Sequence, residues 1–384
     1  MSDGRRFDSF CEHIEAQRFS GYDEYTRAHD ISFADKLAGD PEMRVVFANL
    51  LDPDQLLARQ KPGQIAMRVN KSIQAIERAE DPLFPVGRDT PEAWEPTHQR
   101  LVDDPDYLSK FVLNLVLPIA ANVSERGKLL IATAQLSGRD GGLSVLEIGS
   151  SLGLNLKRFA MLGQAGLDYE EIQVMTDEDR NGDNRNDVDE ARTLALNELI
   201  ASRSFRLDRG VGMDIFHPEN DEPYAQWAMS NSFYMGELLD RARTEQFSLL
   251  TEARPEQVSF EVLDASTDQP PEYDPFDIVY IPTMLYQLPK DERKAVVRNA
   301  HRWVTDDGLI VIQDFANLNR DGTGKFYKRN KWRWNYNLWA RDLREGDRGF
   351  KKLMTAESGR VKRLTLEPAL GELVVARETG LAPF

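Results

Sequence analysis

"LSVLEIGSSLGLNLKRF", residues 143–159, is an apolar run that meets an acid, then two glycines four apart, then residues at helical spacing. The run reads as a buried strand. Gly149 follows it directly, where a side chain would hold a ligand off the backbone, and Gly153 opens the next helix, whose first amides point at that ligand. A dinucleotide fingerprint would need G-x-G-x-x-G, yet Ser151 takes the second position and Asn155 lies beyond. Glu147, two residues before the first glycine, repels phosphate and attracts an ammonium group. The stretch therefore points to an amino-acid-bearing nucleoside.

Outward from this loop, short apolar strands alternate with helices: "VSFEVLDAS" (258–266), "FDIVYIP" (276–282), the helix "KDERKAVVRNAHRWV" (290–304), a turn at "TDDG" (305–308) and "LIVIQDF" (309–315). This alternation predicts an α/β fold, a Rossmann-like doubly wound sheet covered on both faces. "VKRLTLEP" (361–368) and "GELVVARE" (371–378), with a short turn between them, predict a C-terminal β-hairpin. Residues 1–122 read instead as a helical N-terminal domain, with helices over 41–60, 62–80 and 104–123. The proline-rich stretch 80–96 reads as a loop, and a helix capped by Ser124 leads towards the central loop. The domain boundary falls at 122/123, and the second domain runs to 384.

The chain has 384 residues, is 41% hydrophobic and carries a formal charge of −16. That charge disfavours nucleic acid, whose binding rests on cationic contacts. The basic and aromatic run "KFYKRNKWRWNYNLWARDLR" (325–344) reads as an amphipathic segment with its Trp and Tyr packed inward, as in a long core helix. Stacking on bases is its alternative reading. No stretch approaches the about 20 apolar residues of a membrane span, and the N-terminus lacks the apolar core of a secretory signal. A cytoplasmic protein is expected. Cys11 is the single cysteine, so neither an intramolecular disulfide nor a cysteine zinc site is expected.

With these residues in view, the chain resembles the class I S-adenosylmethionine-dependent methyltransferases, whose first motif is an acid, one residue and a Gly-rich turn. The resemblance covers 143–315. "EIGSSLGLNL" also looks like the loop of a little-characterised bacterial family of methyltransferase-like proteins, in which a strand ending in R-x-G-x-D and a proline follows an insertion. Here that strand end would be "RGVGMDIFHP" (209–218), and 167–203 would be the insertion. The resemblance implies S-adenosyl-L-methionine as cofactor, with the amino group on Glu147 and the backbone of Gly149, Ser150 and Gly153 around it. Asp264 would lie beside the adenine, Ala265 would line the ring, and Pro282 to Tyr286 would face the methyl group. Asp264 as a turn cap is the competing reading. The ribose acid is expected about 20 residues past the glycines. Asp177 lies 28 past Gly149 and Asp214 lies 65 past it; Asp214 is preferred on the resemblance, and Asp177 stays open.

"DEDRNGDNRNDVDE" (177–190) half-matches a calcium loop, but Val188 stands where a bidentate Glu belongs. A solvated turn is preferred, with Asp187 capping the helix after it. "DGTGKFY" (321–327) lacks a P-loop's upstream Gly and reads as a loop, and the five histidines show no ligand spacing. The expected activity is methyl transfer to a small-molecule acceptor, with Tyr286, Asp314 and His217 as candidate bases and Trp332–Trp339 as a candidate pocket wall. A non-catalytic binding or regulatory protein and an NAD-dependent oxidoreductase are the alternatives. Glu147 and the missing third glycine speak against the latter. The acceptor and the oligomeric state, homo-oligomer included, stay open.

Overall fold

The structure, a computed structural model, describes residues 3–18, 24–52, 57, 61–81, 83–116, 125–161, 173–174, 189–202, 204–217, 253–269, 271–314, 316–319, 321–322, 324–326, 336–345, 349–357 and 360–364. These fall into two compact units, one within residues 3–116 and one from 125 onward.

The first unit is helical: α1 (Asp3–Gln17), α2 (Glu24–Gly39), α3 (Pro41–Leu50), α4 (Pro62–Glu80), α5 (Glu95–Asp103) and α6 (Pro105–Val116). Asp40 sets the start of α3 by accepting from the amides of Glu42 and Met43. The helix expected over 41–60 stops at Leu50, and the proline-rich loop contains a short 3-10 turn, Pro91–Trp94. Around α4, whose Ile65, Val69, Ile73 and Ile76 are buried at helical spacing, pack Phe10, Phe33, Phe47, Trp94 and Phe111.

The second unit contains α7 (Glu125–Leu136), β1 (Gly141–Ile148), α8 (Leu154–Ala160), β2 (Gln173–Val174), α9 (Glu190–Ala201), β3 (Phe205–Asp214), β4 (Val258–Val262) and β5 (Phe276–Pro282). It continues with α10 (Lys290–Trp303), β6 (Val304–Asp314), β7 (Ala316–Leu318), β8 (Gly324–Phe326), β9 (Tyr336–Asp342), β10 (Lys351–Glu357) and β11 (Arg360–Leu364). Nine strands form one sheet in the order β2-β11-β10-β9-β6-β5-β1-β3-β4. The block β4-β3-β1-β5-β6 is parallel, and β9, β10 and β11 add antiparallel partners beyond β6. Apolar side chains of α7, α8 and α9 cover one face, and those of α10 cover the other. This is a doubly wound Rossmann-like arrangement.

Several expectations need correction. Tyr336–Asp342 is a strand, not part of a long helix: Leu338 and Ala340 join the core on one face and Trp339 the core on the other, so burial on both sides hides the alternation. Residues 327–335, with Trp332, lie outside the described residues. The "TDDG" turn is an excursion within β6, where Val304 pairs with Phe276 and Leu309 with Ile278. The Gly-Lys stretch enters the small hairpin β7–β8. Asp189, not Asp187, caps α9, accepting from the amide of Arg192. Of "EIQVMTD", the described residues Gln173–Val174 form β2, beside β11 at the far edge of the sheet, while β3 takes the place next to β1. Asp177, Asp187 and the half-matched calcium loop lie outside the described residues, as does the second strand of the expected terminal hairpin; β11 is described as the partner of β10.

Candidate active site

The chain order reverses between β1 and β5: β3 and β4 lie on one side of β1, β5 and β6 on the other. In open α/β sheets the crevice for a ligand opens at the carboxyl ends of the strands at such a reversal. Two rungs of residues meet that crevice from the α8 face. The lower rung runs Phe260, Gly212, Glu147, Tyr280 and Val311 across five strands. The upper rung holds Val262 and Asp214 on one side, Pro282 and Gln313 on the other. Where β1 has ended between them stands the loop 149–153.

Three residues of that loop have left-handed backbones: Gly149 (φ 78°), Ser151 (φ 51°) and Gly153 (φ 68°). The turn is held from within: the amides of Gly149 and Ser150 both donate to Met213 O, and that of Gly153 donates to Ser150 O. Glycine is required at two positions for a second reason. A Cβ at Gly149 would stand 3.0 Å from Met284 Cβ, and one at Gly153 would collide with the Phe260 ring. The loop is tied to β3, since the Gly149 amide donates to Met213 O at 2.7 Å and the Ser151 amide to Asp214 Oδ2 at 2.8 Å.

Glu147 is fully buried, and Oε1 accepts from Asn155 Nδ2 of α8 at 2.6 Å. Ser150 is buried as well; its Oγ has no hydrogen-bond partner and lies toward Gly212, 2.8 Å from where a Cβ there would be. Asp214 ends β3, with Oδ1 accepting from the Ile215 amide at 2.7 Å. Burial lifts its carboxyl above the usual carboxylate range, while the amides of Ser151, Ile215 and Phe216 pull it down.

Asp264 follows β4. Its Oδ1 accepts from both the amide and the hydroxyl of Ser266, so the turn-cap reading holds for that oxygen. Asn299 on α10, wholly buried, fastens this turn by donating Nδ2 to Ala265 O at 2.9 Å and Thr267 O at 2.8 Å. Ala265 is buried, whereas Ile215 and Val262 stand exposed beside the two acids.

At the end of β5, Pro282 is buried and Thr283 has φ 42°, a strained value for a β-branched residue. Its amide donates to Gln313 O at 2.6 Å. Asp314, fully buried at the end of β6, accepts from the Tyr286 amide at 3.2 Å. His217 stands edge-on to Phe260, 6.1 Å between centroids. Among the described residues no three His, Cys, Asp or Glu side chains group as metal ligands.

The structure thus gathers Glu147, Gly149, Ser150, Gly153, Asp214 and Pro282 at the carboxyl ends of β1, β3 and β5, with Asp264 and Ala265 at the end of the neighbouring β4. Sequence reading missed the parts played by Asn155, Asn299, Tyr280 and Gln313. A signal for Gln313 was present: a glutamine and an aspartate closing an otherwise apolar strand.

No protein-family model matches this chain, and no curated protein matches it. Among solved structures, it is similar to the [4+2]-cyclase SpnF, with 15% identity over 50% of this chain and 44% of that one, TM-score 0.25. Similar figures hold for StiE O-MT residues 961–1257: 15% identity, 60% and 55% coverage, TM-score 0.25. The N-methyltransferase NodS from Bradyrhizobium japonicum WM9, in complex with S-adenosyl-l-homocysteine, matches at 13% identity over 63% of this chain and 72% of that one, TM-score 0.25. The matched stretch spans about half the length of the first two. The fold rests on the strand order above.

Proposed function

We propose that this chain is an S-adenosyl-L-methionine-dependent methyltransferase of the class I superfamily, acting on a small-molecule acceptor. The observation that carries the reading is Glu147, a carboxyl group buried at the end of the central strand, immediately before a loop with two close-packed glycines. A carboxylate in that place repels phosphate and attracts an α-ammonium group. The rest of the crevice fits the same ligand: glycines that admit a close approach, the Ser150 hydroxyl buried without a partner, and acids at the ends of β3 and β4.

In this reading Glu147 holds the ammonium group, and the backbone at Gly149, Ser150 and Gly153 surrounds the amino-acid part. Asp214 accepts from the ribose hydroxyls. Asp264 accepts from the exocyclic amine through Oδ2, the oxygen outside the Ser266 bonds, while Ala265, Ile215 and Val262 offer apolar contact to the ring. When bound, the cofactor supplies a methyl group already activated on a sulfonium. The protein is left to position the acceptor and exclude water. Pro282 to Tyr286 line the reacting end, and Tyr286, Asp314 and His217 are the candidates to take a proton where the acceptor must lose one. The helical unit as a separate domain and a cytoplasmic location belong to the same reading. No helix among the described residues is long and apolar enough to cross a membrane.

Calorimetric titration with S-adenosylmethionine, S-adenosylhomocysteine and NAD tests it. Micromolar binding of the adenosyl compounds, lost in Glu147→Gln, is the expected result, and preference for NAD would overturn it. Labelled-methyl transfer to a panel of small acceptors then separates an enzyme from a binding protein.

A further inference from the structure

Two polar side chains of the crevice are not used by the reading above. Tyr280 and Gln313 are both fully buried, and the Tyr280 hydroxyl donates to Gln313 Oε1 at 2.5 Å. Gln313 Nε2, also buried, has no hydrogen-bond partner. A buried donor left unmet costs about 1–3 kcal/mol, so its persistence at a strand end needs a cause. The position suggests one. Tyr280 stands beside Glu147 on the lower rung, and Gln313 is the neighbour of Pro282 on the upper rung, on the same face.

An α-amino acid carries its ammonium and carboxylate on one carbon. A buried site that takes the first must find donors for the second within a few ångströms, or leave a buried anion unmet. The other candidates lie on the wrong side. Ser150 Oγ faces Gly212 of β3, and Lys157 of α8 lies over the Phe260 ring of β4, its Nζ 5.5 Å from the centroid. On the β5–β6 side, the donor at hand is Gln313. Tyr280, by donating to Oε1, leaves Nε2 as the donor without a hydrogen-bond partner; turned over, the amide would present an oxygen and repel a carboxylate.

We infer that Gln313, oriented by Tyr280, binds the carboxylate of the amino-acid moiety whose ammonium rests on Glu147. Gln313 is thus a specificity residue for carboxylated adenosyl ligands. The inference rests on the proposed function and goes further in dividing the ligand's zwitterion between β1 and β6.

The test is calorimetric titration of the full chain with S-adenosylmethionine and its decarboxylated analogue. Wild type should prefer the carboxylated compound by at least about tenfold, the worth of one hydrogen bond to a charged group. Gln313→Leu should erase that preference, weakening S-adenosylmethionine while leaving the analogue within about twofold. Gln313→Glu, nearly isosteric, should weaken S-adenosylmethionine further by repulsion, and it serves if the Leu variant melts early. Equal weakening of both compounds, or of neither, overturns the inference. Wild type binding both equally overturns it while sparing the cofactor reading, and wild type binding neither removes the cofactor reading and this inference together.

Discussion

Glu77 and Glu147 are the two buried glutamates among the described residues, one in each unit, and their surroundings differ in kind. Glu77 on α4 is met by Arg100 at 3.2 Å, Arg88 at 3.3 Å, the Tyr107 hydroxyl at 3.0 Å and the Thr97 hydroxyl at 3.4 Å. Its charge is compensated inside the fold by two guanidiniums. Glu147 accepts from the carboxamide of Asn155, and at the ends of the neighbouring strands the buried Ser150 Oγ and Gln313 Nε2 have no hydrogen-bond partner. A fully satisfied network fixes a core, whereas an incompletely satisfied one at a strand end is what a ligand completes.

The same substitution at both positions is the sharpest way to break this contrast. Glu77→Gln should destabilise the helical unit by about 2–3 kcal/mol, read by denaturant unfolding, because two partly buried arginines lose their counter-charge. A loss below about 0.5 kcal/mol would show that the network is ornamental. Glu147→Gln, which keeps an acceptor for Asn155, should move the unfolding midpoint less than Glu77→Gln does, while adenosyl affinity falls about 100-fold, or about 2.7 kcal/mol. Equal destabilisation at both sites would erase the distinction. Asp214→Asn should show the smaller loss of affinity, about tenfold, measured by calorimetry. Its two oxygens each accept from a backbone amide, Oδ2 from Ser151 and Oδ1 from Ile215, so asparagine keeps one acceptor and sets its NH2 against the other N–H. Relief of a carboxyl raised by burial opposes that loss, and thermal melting should move little.

The smallest expected effect is in pH. His98 is buried against His29, with ring centroids 4.9 Å apart, and desolvation pushes its pKa well below the usual imidazole value. The unfolded chain therefore binds a proton there before the folded one does. Stability contributed by neutral His98 is present above about pH 6.5 and is lost as pH falls below it, by about 1.4 kcal/mol per pH unit at most. Chemical denaturation of the helical unit at pH 7.5 and 5.5 should show the decline, and His98→Gln should flatten it.

The loop at Gly149, the parallel strands and α10 were legible because their signals are local: an acid, glycines at a strict spacing, short apolar runs between turn residues. Even Asp214, far from the glycines in sequence, could be preferred on the resemblance, and β3 indeed ends there beside β1. The aromatic strand β9 was not legible, because burial on both faces removes the period on which strand reading depends. Nor was the edge pairing of β2 with β11, which is set by sheet register between distant segments. Gly153 shows an intermediate case. Its place at the start of a helix was readable from the motif, but the ring of Phe260 that closes the space above it belongs to a strand more than a hundred residues later.

That edge pairing also sets an order of assembly. β2, at residues 173–174, hydrogen-bonds to β11, at 360–364, so a chain growing from its N-terminus must leave β2 waiting while β3 to β10 are made. The parallel block with its ligand crevice can form on the ribosome. The far edge can close only once β11 has emerged, and a translational pause before residue 360 would yield a molecule whose centre is folded and whose margin is open.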